Sequence, residues 1–174
     1  FIFIVGAVAL WRYSWGMVHF LRAMIYKNLI FPKYRKHEEK NHKHLMPSKV
    51  YLLVTSFRIE TETSLRVFRS VIQEAIHCPC PCNIVASIVE KSDEILIKEI
   101  FFSLRPPDNV TLNIVRIPGT GKRDGLAQGF RAISRDMPPE DAVVAVIDGD
   151  TILEKGLIKK CAGFFKMMPE IGAL

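Results

Sequence analysis

Asp148 and Asp150 flank a single glycine at the end of the apolar run 142–147. Two carboxylates at that spacing on a strand tip can chelate a divalent cation, which then needs anionic ligands to complete its shell. Upstream, Gly119-Thr120-Gly121-Lys122-Arg123 is a glycine-rich turn that runs into two cations and a helical pattern. Glycines leave backbone amides open to phosphate oxygens and Lys122 adds a compact positive charge, so this turn suits a diphosphate. The two segments together imply a metal-assisted nucleotide-diphosphate site, and oxygen-only ligation points to Mg²⁺ or Mn²⁺. Charge developing on a leaving diphosphate would be absorbed by a cation on Asp150, with Asp148 turned to the ribose or the metal. Arg123 either assists Lys122 or faces water.

Each piece also has a plainer reading. Asp-Gly-Asp after a strand serves equally as a turn or a helix N-cap. Gly121-Lys122 is no Walker A loop, because Arg116 stands where the earlier glycine belongs and no Ser or Thr follows the lysine. Thr55 and Ser56 either contact nucleotide or cap a following helix, and Thr151 either supports the carboxylates or caps a helix. Cys78, Cys80 and Cys82 alternate with prolines beside His77. Rigid prolines should point alternate side chains apart, the spacing is wrong for zinc knuckles, and thiols stay reduced in a cytosolic setting, so a metal or redox role is not expected. Cys161 fits a helix core.

The chemistry needs a scaffold, and hydrophobic periodicity supplies one. Strands are expected at 50–55, 84–89, 112–117 and 142–147. Thr61 or Thr63 offers an N-cap for a helix whose apolar face holds Leu65, Phe68, Val71, Ile72, Ala75 and Ile76. Ser92 opens a helix through about Leu104 that Pro106-Pro107 stops; another is expected from about Asp124 to Arg135, and a last one over 155–168. Repeated βαβ order implies an α/β fold, a mostly parallel sheet with helices on both faces and ligands at the carboxyl ends of the strands. Residues 171–174 look like the opening of another strand, so the domain is expected to be truncated at its C-terminus.

A hydrophobic content of 49% excludes a mainly disordered chain. A net charge of +6 and a pI near 9.2 allow nucleic acid, anionic membrane or phosphorylated ligands as partners. Charge placement favours a lipid bilayer over nucleic acid. Residues 1–10 are apolar, and Trp11, Tyr13 and Trp15 form an interfacial aromatic cluster. A span needs roughly 20 apolar residues, so the chain is expected to begin inside a membrane helix. Arg12 and Arg22 argue against a simple span, so 1–30 is read as a transmembrane or interfacial helix that leaves the bilayer near Trp11–Trp15. Residues 31–47 are expected to be a solvated basic linker, carrying Lys33, Arg35, Lys36, Lys40 and Lys43 with His37, His42 and His44. The positive-inside rule puts this linker, and residues 48–174 after it, in the cytoplasm at the inner (plasma) membrane. A buried helix of a soluble protein, or a secretory signal, is the alternative for the N-terminus.

Over about residues 48–174 the pattern resembles the family 2 glycosyltransferases, the GT-A fold enzymes that include membrane polysaccharide synthases. Val50 to Thr55 is similar to their first nucleotide-binding strand, and Gly121-Lys122-Arg123-Asp124-Gly125-Leu126-Ala127 to their Gly-Lys-x-x-Ala-Leu segment. Asp148-Gly149-Asp150-Thr151 is similar to their D-x-D metal motif. Gly-Thr-Gly-Lys-Arg-Asp with Ile-Asp-Gly-Asp, preceded by Trp-Arg-Tyr-Ser-Trp, most resembles the alginate-polymerising branch. That resemblance implies transfer of sugar units from a nucleotide sugar, GDP-mannuronate in that branch, to a growing polysaccharide acceptor. It also implies a partner subunit that senses cyclic di-GMP. UDP-sugar synthases of the hyaluronan, chitin or cellulose type are the alternative within the family. Relatives carry adjacent aspartates after the second strand to hold the nucleoside; here Val89-Glu90-Lys91 stands there, and Glu90 is the substitute acceptor. The family's general base and its Gln-x-x-Arg-Trp segment would lie beyond Leu174, so residues 1–174 alone are not expected to turn over. Outside this family, a haloacid dehalogenase phosphatase also places Asp-x-Asp after a strand, but its pattern wants Thr or Val where Ile152 stands. A noncatalytic scaffold holding anionic lipid is the remaining reading.

Overall fold

Val, Ile and Leu, which favour the pleated surface of a buried sheet, dominate four short runs, and all four are strands. They are β1 (Val50–Thr55), β2 (Cys82–Ile88), β3 (Val110–Arg116) and β4 (Val143–Asp148). Between and after them lie α3 (Thr61–His77), α4 (Lys91–Leu104), α5 (Lys122–Arg135), α6 (Leu157–Cys161) and α7 (Gly163–Met167). At the N-terminus α1 (Ile2–Ile25) leads through a π-helical turn (Tyr26–Ile30) into α2 (Phe31–Leu45). The computed structural model describes residues 2–57 and 59–173. Phe1 and Leu174, the outer ends of the expected membrane run and closing strand, lie outside them. The chain divides into two compact units, Phe1–His42 and Lys43–Leu174.

In the first unit, α1 exposes large apolar side chains along its length, among them Phe3, Leu10, Trp11, Tyr13, Trp15 and Phe20. Among the described residues, no helix is long and apolar enough to cross a membrane. The segment expected to be a transmembrane or interfacial helix is helical over Ile2–Ile25, and Arg12 and Arg22, with Ser14 and His19 between them, dilute its apolar stretch. The stretch expected to be a linker is helical from Phe31 to Leu45. Lys, Arg and Glu are good helix formers, and pairs four apart, Arg35 with Glu39 and Glu38 with His42, support the helix.

In the second unit the strands are all parallel, in the order β3-β2-β1-β4. Alternation along the strands divides the core into two layers. Val50, Leu52, Val54, Ile84, Ala86 and Ile88 pack under α3 and α4 on one face. Tyr51, Leu53 and Val85 meet α5 on the other, so helices cover both faces as expected. Fully burying each such large side chain contributes about 1.5–3 kcal/mol. The chain moves outward from β1 to β2 to β3, then crosses back over the sheet through α5 to place β4 on the far side of β1. That reversal makes the carboxyl ends of β1 and β4 the switch point, where open α/β sheets bind ligands.

Several local expectations change. Neither Thr61 nor Thr63 caps α3; Glu60 occupies the cap position without a side-chain bond. α3 buries Phe68, Val71, Ile72 and Ala75 as expected and adds Ser64, Val67 and Glu74, while Leu65 is exposed. α5 begins two residues earlier than expected, at Lys122. The last helix is broken into α6 and α7 at Ala162, and 171–173 form no strand. Cys161 is exposed instead of lying in a core. Cys78, Cys80 and Cys82 are buried, and the Cys78 and Cys80 sulfurs lie 3.3 Å apart, so the prolines do not splay these side chains. Hydrogen bonding to Cys78, then burial, pushes the Cys80 and Cys82 thiols up and keeps them protonated.

Candidate functional site

Asp148 is the last residue of β4 and pairs across the sheet with Thr55, the last residue of β1. The chain then turns sharply, with Thr151 N donating to Asp148 O at 3.0 Å. No helix follows until Leu157, so Asp-Gly-Asp is a turn and not a helix N-cap, and Thr151 caps nothing. Gly149 is wedged against β1: a Cβ there would stand 2.6 Å from Thr55 O and 3.0 Å from Ser56 Cα. Burying the glycine pushes both neighbours outward, and Asp148 and Asp150 are exposed.

The glycine turn arrives at this strand tip from β3. Gly119 and Gly121 have φ of +83° and +124°, values that L side chains rarely adopt. At Gly119 a Cβ would also approach Val89 Cγ1 to 3.3 Å, which fixes the turn against the end of β2. Gly121 is the N-cap of α5 and has no side chain to bond the first amides, while Thr120 Oγ1 donates to Asp124 Oδ2 at 2.5 Å. Lys122 and Arg123 are therefore the first residues of a helix, where outward-facing amides and the helix dipole favour an anion. Lys122 Nζ lies 2.6 Å from Asp148 Oδ1, with about half of each side chain open to solvent. Arg123 is exposed in the same turn.

A third component is a row of buried hydroxyls. Thr55 Oγ1, Ser56 Oγ and Ser87 Oγ have no hydrogen-bond partner among the described residues. Their residues are 5%, 2% and 1% exposed, where an unmet hydroxyl costs about 1–3 kcal/mol. Thr55 and Ser87 sit opposite each other in the sheet, and Ser56 N donates to Ser87 O at 2.9 Å. α3 starts at Thr61, so Thr55 and Ser56 are not its cap. Ser87 was not singled out from the sequence; the signal was a hydroxyl near the end of an otherwise apolar strand, level with Thr55. Glu90 is exposed in the cap position of α4, directly after Val89. The Asp93 carboxyl, in the first turn of α4, is pushed up by burial and then by the Glu90 charge. Among the described residues no hydrogen bond joins Glu90 to Lys122, Asp148 or Asp150.

The donor set of the turn fits a hard divalent ion: two solvent-open carboxylates and no sulfur or imidazole. Among the described residues no group of three or more His, Cys, Asp or Glu side chains is gathered to hold a metal. Remaining ligands for an ion at Asp148 and Asp150 would have to be phosphate and water oxygens.

The model of the family described as "Glycosyltransferase like family 2" matches residues 47–174. Two curated proteins named "Glycosyltransferase alg8" are similar to this chain. The one from Azotobacter vinelandii is 55% identical over 172 residues, 99% of this chain and 35% of that protein. The one from Pseudomonas syringae pv. tomato is 52% identical over 174 residues, the whole of this chain and 35% of that protein. The chain thus spans about a third of the length of these relatives, and both similarities run through the glycine turn and the Asp-Gly-Asp turn.

Proposed function

Because the chain belongs to glycosyltransferase family 2, we propose that residues 48–174 are the nucleotide-sugar-binding part of an enzyme that extends an exopolysaccharide. The donor in this reading is GDP-mannuronate and the product is alginate. The observation that carries the proposal is the 2.6 Å approach of Lys122 to Asp148, which gathers the cationic glycine turn and the acidic strand tip at one switch point. A diphosphate, with its sugar on one side and its nucleoside on the other, is the ligand that both parts share. The donor assignment draws on the wording of both motifs and on the similarity to the two proteins named for alg8. The acceptor polysaccharide and a cyclic di-GMP-sensing partner subunit rest on the family resemblance. Membrane association draws on the exposed apolar side chains of α1 and the basic α2.

Each part of the site has its own task. Lys122, assisted by Arg123 and the first amides of α5, would hold the phosphates and oppose charge building on the leaving group. Asp150 and Asp148 would hold Mg²⁺ or Mn²⁺, which when bound neutralises the diphosphate. Thr55, Ser56 and Ser87 offer donors to the nucleoside, and Glu90 is the candidate acceptor for base or ribose. The family match weighs against the phosphatase alternative.

The test is a donor panel assayed on membranes holding the full-length protein. Asp150→Ala is expected to abolish metal-dependent transfer, and Lys122→Met to raise donor KM by about tenfold or more, the effect of losing a charge-assisted hydrogen bond. Unchanged polymer output from Asp150→Ala rejects the metal role. Transfer from a UDP-sugar but not from GDP-mannuronate rejects the donor.

A further inference from the structure

The segment that follows Asp150 has no regular structure from Thr151 to Glu154 and reaches α6 only through the turn at Lys155 and Gly156. It is nevertheless fastened to α3 at three backbone amides. Leu153 N donates to Ser70 Oγ at 3.0 Å, Gly156 N to Glu74 Oε2 at 2.7 Å and Ile158 N to Glu74 Oε1 at 2.9 Å. Glu74 is 4% exposed, and each of its carboxylate oxygens accepts an amide from a segment more than eighty residues away. A carboxylate buried on the apolar face of a helix is costly unless it is so satisfied, and a plain core position would hold Leu or Ile. Ser70 is oriented by its own bond to Val67 O at 2.8 Å, which aims an oxygen lone pair at Leu153 N. A cleft of about 200 Å³ lined by Ser70, Gln73, Glu74, His77, Leu153 and Lys155 borders these bonds.

Asp150 therefore sits between two fixed points. On one side Gly149 is wedged against Thr55 and Ser56; on the other, three residues on, Leu153 is held by Ser70. An exposed carboxylate on an otherwise irregular segment can keep one position only if the backbone on both sides is held. We propose that Glu74 and Ser70 are positioning residues: by fastening the segment 153–158 to α3 they set the place of the Asp150 carboxylate, and with it the affinity for the divalent ion and donor. This rests on the assignment of Asp150 to the ion.

The experiment uses the full-length protein in membranes, with transfer measured against Mg²⁺ or Mn²⁺ concentration at saturating donor. Glu74→Gln keeps one acceptor oxygen and Ser70→Ala removes one bond. Both are expected to raise the half-saturating metal concentration, about fivefold or more for Glu74→Gln and twofold to threefold for Ser70→Ala. Ser70→Thr, which keeps the hydroxyl, is expected to restore the wild-type metal curve. Variants that express and resist proteolysis like wild type but keep an unchanged metal curve overturn the proposal. So does loss of rate at every metal concentration with no shift of the midpoint, the mark of a merely structural role. Ser70→Ala carries the test if Glu74→Gln does not fold. An unchanged metal curve in Asp150→Ala would instead overturn the assignment of Asp150, which separates the two failures.

Discussion

Gly149 is constrained more tightly than either aspartate beside it. A methyl group there would overlap backbone atoms of Thr55 and Ser56, which cannot step aside as a flexible side chain can. Gly149→Ala is expected to cost about 1–3 kcal/mol through overpacking and to displace both carboxylates together. The check is a pair of measurements, unfolding midpoint and metal dependence of transfer, and a variant unchanged in both would refute the close approach. The aspartates and Lys122 were legible in the sequence because their chemistry depends on residue type and spacing. The reason for the glycine was not, since its neighbours come from a strand almost a hundred residues earlier. Ser87 escaped notice for the same reason: a lone serine means nothing until Thr55 and Ser56 stand beside it.

At the amino ends of the two central strands, opposite the candidate site, elements are tied by one carboxylate. Asp136, at the end of α5, accepts from Lys49 Nζ at 2.6 Å and Tyr51 OH at 2.7 Å, both on or next to β1, and from Asn83 Nδ2 of β2 at 3.3 Å. The hydrogen bond from Lys49, then that from Tyr51, holds the Asp136 carboxyl below its usual range. A depressed carboxylate stabilises the fold above the unfolded-state value and loses that contribution as pH falls through the folded one. The advantage of wild type over Asp136→Asn in urea midpoint is therefore expected in full at pH 7, to begin shrinking near the ordinary carboxylate value of about pH 4, and to disappear only as pH falls further through the lowered folded-state value. An advantage that is independent of pH would assign the effect to packing. Strand positions were readable to within two residues because buried parallel strands need unbroken apolar runs. The buried face of helix α3 was legible at Phe68, Val71, Ile72 and Ala75 but not at Ser64 and Glu74, whose polarity disguises their burial and, for Glu74, whose amide partners lie more than eighty residues away.

At the scale of the whole molecule the two units call for separate tests. Trp11 and Trp15 are the chain's two tryptophans and both lie in α1, so intrinsic tryptophan fluorescence reports that helix alone. Adding vesicles rich in phosphatidylglycerol is expected to shift the emission to the blue, with a smaller shift at high salt as screening weakens the basic residues of α2. No shift with anionic vesicles would reject membrane association through this segment.

What the amino-acid order determined by itself was the class of the fold, the family and the pair of motifs. Alternating apolar runs and amphipathic stretches leave few architectures, and the glycine, lysine and aspartate spacings carry their chemistry locally. What only tertiary structure decided was contact between segments distant in the chain. It brought Lys122 to Asp148, left three hydroxyls buried together, wedged Gly149 against β1 and fastened the loop after Asp150 to Glu74. Such contacts depend on which strand crosses over which and on how far each helix is rotated. Short-range patterning leaves that choice open, and close packing of the sheet against its helices resolves it.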